Sequence, residues 1–332
     1  MWNNYPLYAG LGLNWWGVNS LSYMFGYNGY YNPYYVPTGS SVVYDYSQPL
    51  VYTTPAPIDD GDQAFVPEAR PAADAAEAAR TAFLQSDFNE AISQAERAIK
   101  AEPQDPVMHQ LRALALFALS RFDEAAAVVH TVLATSPGWD WTTMIGFYQN
   151  ADDYTKQLRA LEHFRNSNED NAAAHFLLAY HYITLGHTDD ARIELKEVIR
   201  LQPKDTVAAN LLRSLGPADG EAAAETPVAP PANQTPIDPA QLVGAWAADR
   251  GDGATFRLML DAQDKFAWSF TQGNQQQEVT GTYRVEDNTL LMAPSSGGTL
   301  AAALALAEDG GLSFRIIGGD PNDPGLVFRN TK

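Results

Sequence analysis

All six histidines of this chain lie between His109 and His187. They are the residues best suited to bind a metal or move a proton. His175 and His181 are six positions apart, which sets them about 120° from each other around a helix and gives them no common face. His163 reaches them only through the tertiary fold. Packed or exposed histidine is therefore expected, with no metal and no cofactor. The 332 residues include no cysteine, which excludes disulfides, thiolate metal sites and cysteine nucleophiles.

Oxygen ligands crowd Asp320-Pro321-Asn322-Asp323, but the spacing is not that of a calcium loop, and a turn before the last strand is the expected role. Arg250-Gly251-Asp252 likewise reads as a hairpin turn, where Gly and Asp are favoured for backbone reasons. The chain has no Gly-x-Ser-x-Gly elbow, His-Glu-x-x-His, phosphate loop or Gly-x-Gly-x-x-Gly. No nucleophile, base and orienting group can be assembled, so a non-enzymatic protein is expected.

The elements that carry these residues repeat. Phe88 recurs as Phe122, Ala91 as Ala125 and Pro103 as Pro137, each after 34 residues. A fixed period of this size marks a stacked array. Ala191 and Pro203 continue it with a two-residue slip that falls before Tyr154. The spacing predicts four units, 72–105, 106–139, 140–171 and 172–205, and a closing helix over 206–215 stopped by Gly216-Pro217. Each unit divides into two helices, A and B. Alanines at the expected crossings (Ala79 with Ala91, Ala113 with Ala125, Ala179 with Ala191) let the backbones approach.

This pattern resembles the tetratricopeptide repeat (TPR) family over about 72–215. Unit three departs from it: Gln157 and Glu169 stand where the helix-B alanine and the proline belong, and the superhelix is expected to deviate there. The resemblance implies that helix A residues line a groove for a protein or peptide partner. In the register of this chain the contact surface comprises Arg80, Phe83, Gln110, Leu114, Phe117, Gln149, Asn150, Phe176 and Tyr180. Aromatic anchors mixed with amide donors suit an extended peptide. The clustered Lys, Asn and Arg with which one TPR subclass clamps a terminal carboxylate are missing.

Residues 1–71 form a low-complexity arm rich in Tyr, Gly, Asn and Pro, with eleven of the sixteen tyrosines in the first 57 positions. It is expected to be disordered alone and prone to self-association or to stacking on cell-wall sugars. A third reading is intramolecular: Tyr44–Tyr52 could lie along a TPR surface. Residues 216–240 are a Pro/Ala-rich linker.

From 241 to 332, eight short runs separated by turns predict an antiparallel β-barrel. Gly244-Ala245-Trp246 in the first strand and Arg329 in the last resemble the lipocalin/calycin plan, in which the tryptophan closes the barrel base and the arginine packs across it. The fold class is thus a helical TPR solenoid followed by a small antiparallel barrel.

The net charge of −19 is spread over all three regions, which excludes a nucleic-acid partner. No run of 18 or more apolar residues exists, so no transmembrane helix is expected, and no secretory signal is visible. The expected function is a TPR scaffold that mediates protein–protein interaction in a bacterial cell envelope. The alternative is a carrier of a small apolar ligand inside the barrel, lined by Trp246, Phe266 and Trp268.

Overall fold

The periodic alanines and prolines translate directly into paired helices. The computed structural model describes residues 25–26, 30–37, 43–50, 71–135, 138–216, 237–251, 253–273, 275–286, 288–295, 300–307, 309–317 and 323–331. Pro137, the linker 217–236 and Asp320-Pro321-Asn322 lie outside these residues. The chain divides into a helical unit that takes in residues 30–216 and a β unit that takes in Phe25, Gly26 and the residues from 237 onward.

The helical unit contains α1 (Pro71–Leu84), α2 (Phe88–Ala101), α3 (Pro106–Ala118), α4 (Phe122–Thr135), α5 (Trp141–Ile145), α6 (Ala151–Ser167), α7 (Ala172–Leu185), α8 (Thr188–Leu201) and α9 (Thr206–Ser214). The A helices α3, α5 and α7 and the closing helix α9 begin at an acidic or amide N-cap. Asp105, Asp140, Asn171 and Asp205 each accept a hydrogen bond from a main-chain N–H of the first turn, which satisfies one of the donors a helix start leaves open. Between helices A and B the chain takes a left-handed residue: Ser86 (φ 61°), Ser120 (φ 57°) and Gly186 (φ 79°). These positions recur on the same period as the alanines.

The six crossing alanines are all buried, where α1 packs on α2, α3 on α4 and α7 on α8. Unit three breaks the succession. Its helix A, α5, is only five residues long, and α4 packs directly on α7, the A helix of the following unit. Helix α6 lies against α7 and α3. There Tyr154 meets Phe117 at 6.1 Å and Phe164 meets Phe122 at 5.1 Å. The deviation expected at 140–171 thus coincides with a five-residue helix A and with direct packing of α4 on α7.

In the β unit a one-turn helix, α10 (Pro239–Leu242), precedes eight strands: β1 (Gly244–Asp249), β2 (Ala254–Leu260), β3 (Lys265–Gln272), β4 (Gln275–Glu286), β5 (Thr289–Pro294), β6 (Leu300–Leu306), β7 (Leu312–Ile316) and β8 (Leu326–Asn330). They follow one another around a closed antiparallel barrel, sealed where β1 pairs with β8. Buried residues alternate along each strand, as in Phe256, Leu258 and Leu260 of β2, the period-2 signature of a sheet with one face inward. At Gly281 the strands come close: a Cβ there would lie 2.1 Å from the Ala293 carbonyl oxygen.

One expectation is corrected. Arg329 does not pack across Trp246. Phe328 takes the inward place in β8, and Arg329 points outward to Asp309 at 3.1 Å. In the described part of the N-terminal arm the stretch from Tyr44 to Leu50 lies along the helices, the intramolecular one of the three readings. Tyr34, Tyr46 and Leu50 are buried against the helices, and Phe25 is buried in the barrel. Their aromatic rings and amides supply buried contacts that composition alone does not reveal.

Candidate interaction site

Within the helical unit the arm lies on a surface made by α3, α4, α7 and the N-terminus of α9. Pro33 and Asn32 build its first turn, and the Asn32 side-chain oxygen accepts from the Tyr34 N–H at 3.1 Å. The same side chain's amide donates to the Ala127 carbonyl (2.8 Å) and lies 3.1 Å from the Thr131 hydroxyl and the Tyr46 carbonyl. A second turn follows, closed by Gln48 N–H to the Asp45 carbonyl at 3.0 Å, and it presents Tyr46 inward.

Three buried polar groups of the helices meet tyrosine hydroxyls of the arm. The Tyr34 hydroxyl donates to Asp205 Oδ2 at 2.7 Å, and His130 Nε2 faces the other carboxylate oxygen at 3.1 Å. With that nitrogen donating, His130 Nδ1 is left to accept from the Tyr30 hydroxyl at 2.9 Å. His109 Nε2 faces the Pro103 carbonyl at 3.0 Å, and Nδ1 lies 2.9 Å from the Tyr46 hydroxyl. Arg112 sits over the Tyr46 ring at 5.6 Å and pairs with Glu96 at 3.1 Å. Phe176 packs against Tyr34 at 5.1 Å.

The protonation states fit this network. Burial raises the Tyr34 phenol well above its ordinary value, and the Asp205 charge adds to the shift. Burial would raise Asp205, but the facing His130 imidazole, through its electrostatics and hydrogen bond, with the Ala208 N–H and the Tyr34 hydroxyl, brings it below the usual range. The pair is therefore a neutral donor facing an ionised acceptor. Burial, opposed by the Pro103 carbonyl and aided by the Arg112 charge, holds His109 down to about 4, so it is a neutral acceptor for Tyr46. Asp205, His130 and Tyr30 form an acid–imidazole–hydroxyl relay. In this setting it fixes the arm in place, since its terminal hydroxyl also shares a hydrogen bond with Thr131 at 2.8 Å.

The helix A residues expected to face a partner fall into different surroundings. Gln110, Leu114, Phe117 and Tyr180 converge, but on a small, partly open cavity of about 10 Å³ walled also by Trp139 and His181. That is room for one water. Gln110 Oε1 and His181 Nε2 are buried there without a hydrogen-bond partner. Phe83 is buried against Phe88 and Tyr148 at 5.0 and 5.2 Å. Among the described residues, Phe176 packs against Tyr34 of the arm. Arg80 is half-buried. Gln149 and Asn150 are exposed and have local roles: Gln149 donates to the Leu84 carbonyl at 2.6 Å, and Asn150 caps α6.

What covers this face is the chain itself. Trp139 and Phe147 stack at 4.6 Å, and the Thr184 hydroxyl reaches the Trp139 carbonyl. Histidines 109 and 130 and Asp205 were not singled out from the sequence. The signal available was two histidines at inward helix positions beside a tyrosine-rich arm.

Residues 157–215, from within α6 to just past the end of α9, match the tetratricopeptide repeat family model. The matched segment, residues 157–215, is thus the tetratricopeptide-like part of the helical unit. Among solved structures the chain is similar to the first TPR domain of the human RPAP3 protein, determined by NMR. The identity is 21%, the match covers 43% of this chain and 88% of that one, and the TM-score is 0.21. It is also similar to the first TPR of Spaghetti (RPAP3) bound to the HSP90 peptide SRMEEVD, at 20% identity over 45% of this chain and 92% of that one, with a TM-score of 0.20. Comparison with curated proteins gave no match.

Around the TPR helices, His175 is held between Glu194 (2.5 Å) and the Glu169 carbonyl (2.8 Å), and Arg165 joins Glu194 at 3.0 Å. His181 faces the Tyr154 hydroxyl at 3.1 Å. Among the described residues no three potential ligands group to hold a metal, and no helix is long and apolar enough to cross a membrane.

In the barrel, Trp246, Phe266 and Trp268 are all buried in one core. The Trp246 indole N–H donates to the Leu242 carbonyl at 2.8 Å. Trp268 packs against Phe256, Phe314 and Phe328 at 5.5–5.7 Å. Side chains occupy the space where the carrier reading places a small ligand, as they can in a barrel of eight strands.

Proposed function

We propose that this protein is a non-catalytic TPR scaffold whose binding surface recognises an extended, tyrosine-bearing segment, and that its own arm is the resident occupant. A protein partner is bound when an equivalent segment takes the place of residues 30–50. The observation that carries this reading is the set of buried polar groups on the repeats, Asp205, His130 and His109, each paired with a tyrosine hydroxyl of the arm. Buried charged and polar groups are costly unless paired, so the surface favours segments that present hydroxyls in this order. An ordinary apolar groove does not discriminate in that way. A bacterial cell-envelope setting is part of the proposal, supported by the absence of cysteine.

The test weakens the arm and supplies it in trans. The full chain carrying Tyr34→Phe and Tyr46→Phe is titrated with a fluorescently labelled peptide of residues 30–50, beside the native chain. At least tenfold tighter binding by the variant is expected, because its resident arm competes less well. A folded variant that leaves the peptide unbound removes the proposal.

A further inference from the structure

The β unit holds a short segment that belongs to none of its strands. Phe25 is fully buried in the barrel core, although the barrel closes by β1–β8 pairing without it. Its ring stacks on Phe266 at 5.9 Å and 26°, and meets Trp268 edge-on at 5.2 Å and 67°. Its carbonyl oxygen accepts the buried indole N–H of Trp268 at 2.8 Å. Gly26 follows with φ +64°, and a Cβ on it would lie 2.2–2.6 Å from the ring atoms of Phe270.

We propose that the inward face of β3, formed by Phe266, Trp268 and Phe270, is a recognition site for a Phe-Gly step in a peptide, filled in cis by Phe25-Gly26. Three features of the site each select one part of that ligand. The aromatic walls of Phe266 and Trp268 take a flat ring in stacked and edge-on contact. The indole N–H, which is a donor only, needs an acceptor once buried, and the main-chain carbonyl of the aromatic residue supplies it. The Phe270 ring leaves no room for a side chain on the next residue, whose positive φ also favours glycine. Phe25-Gly26 is the one Phe-Gly step in the sequence.

A core residue supplied by a strand cannot leave without breaking the sheet. Phe25 pairs with no strand, so a second Phe-Gly peptide can replace it while the barrel stays closed. The inference is independent of the scaffold reading, since it concerns a different part of the arm and the other unit.

The test uses the full chain carrying Phe25→Ala and two synthetic pentapeptides, Tyr-Met-Phe-Gly-Tyr and Tyr-Met-Phe-Ala-Tyr, titrated calorimetrically. The variant is expected to bind the glycine peptide at least tenfold more tightly than the native chain does, and the alanine peptide at least tenfold more weakly than the glycine one. Equal binding of the two peptides, or no binding by a variant with native circular dichroism, overturns the proposal. Phe25→Leu keeps an apolar side chain in place and serves if Phe25→Ala does not fold. Failure of both variants to fold makes Phe25 an obligatory core residue, and that too overturns the proposal.

Discussion

Tyr34 and Asp205 are separated by 171 residues and joined by a 2.7 Å hydrogen bond in which the phenol donates to a buried carboxylate. Asp205 also accepts from the Ala208 N–H at 2.8 Å as the cap of α9, so one side chain starts the closing helix and holds the arm. Tyr34→Phe removes the donor and keeps the ring. The buried oxygen then lacks a partner, at a cost of about 1–3 kcal/mol. A lower urea midpoint and faster proteolysis within residues 30–50 are the expected readouts.

The same surface makes the helical unit sensitive to acid. His109 titrates at about 4 when folded, against 6.5 for a free imidazole, so the unfolded chain takes up the proton first. Stability is complete above about 6.5 and is lost as pH falls towards 4. His181, held down to about 3 by burial, acts with the same sign. His175 acts oppositely. Burial would lower it, but the Glu194 hydrogen bond and charge, with the Glu169 carbonyl, raise it, so its contribution is present in acid and is lost as pH rises through its folded value. Urea midpoints measured from pH 7 to 4 should fall, with a shallower slope for His109→Gln. An unchanged slope would remove His109 from this account.

Phe117 separates interior from surface on the helix A face. It is 1% exposed and lies 4.1 Å from the His181 ring. Phe117→Ala is expected to cost about 3–5 kcal/mol in denaturation. A cost below about 1 kcal/mol would instead mark a surface side chain available to a partner.

Gly281 and Gly251 give a matched pair in the barrel. A Cβ at Gly281 meets main-chain atoms of Ala293 and Pro294 at 2.1 and 2.7 Å, whereas at Gly251 it meets nothing within 4 Å. Gly281→Ala should destabilise by about 3 kcal/mol or more, since backbone must move. Gly251→Ala should cost about 1–2 kcal/mol, for its left-handed φ alone. Thermal melting of the two variants checks the order.

Trp246 and Arg329 test how far the lipocalin-like plan extends. Trp246→Phe loses the indole bond to the Leu242 carbonyl and should lower the melting temperature. Arg329→Ala removes only an exposed contact with Asp309 and should leave it unchanged. A clear loss in Arg329→Ala would show that the arginine supports the barrel base after all.

The helices and strands were legible because both obey short periods. Recurring alanines marked the crossings, and alternation marked eight strands. The arm was not legible, since an irregular backbone that binds through hydroxyls and rings leaves no period. Burial of the helix A face was equally hidden. Phe117 and Tyr180 satisfy the pattern of a groove anchor and that of a core residue alike, and their burial became visible only in the packed helices. The capping role of Asn150 had a signal in the sequence, an amide just ahead of a helix with Asp152 and Asp153 in its first turn.

The packing of α4 on α7 has a consequence for how the array comes apart. In a linear repeat protein each unit is coupled only to its neighbours, so a weak unit in the middle divides the array into halves that melt separately. Here the coupling runs past residues 140–171. Local opening of that segment is expected to leave the units on either side joined, so that they unfold as one cooperative block while the segment exchanges its amides earlier.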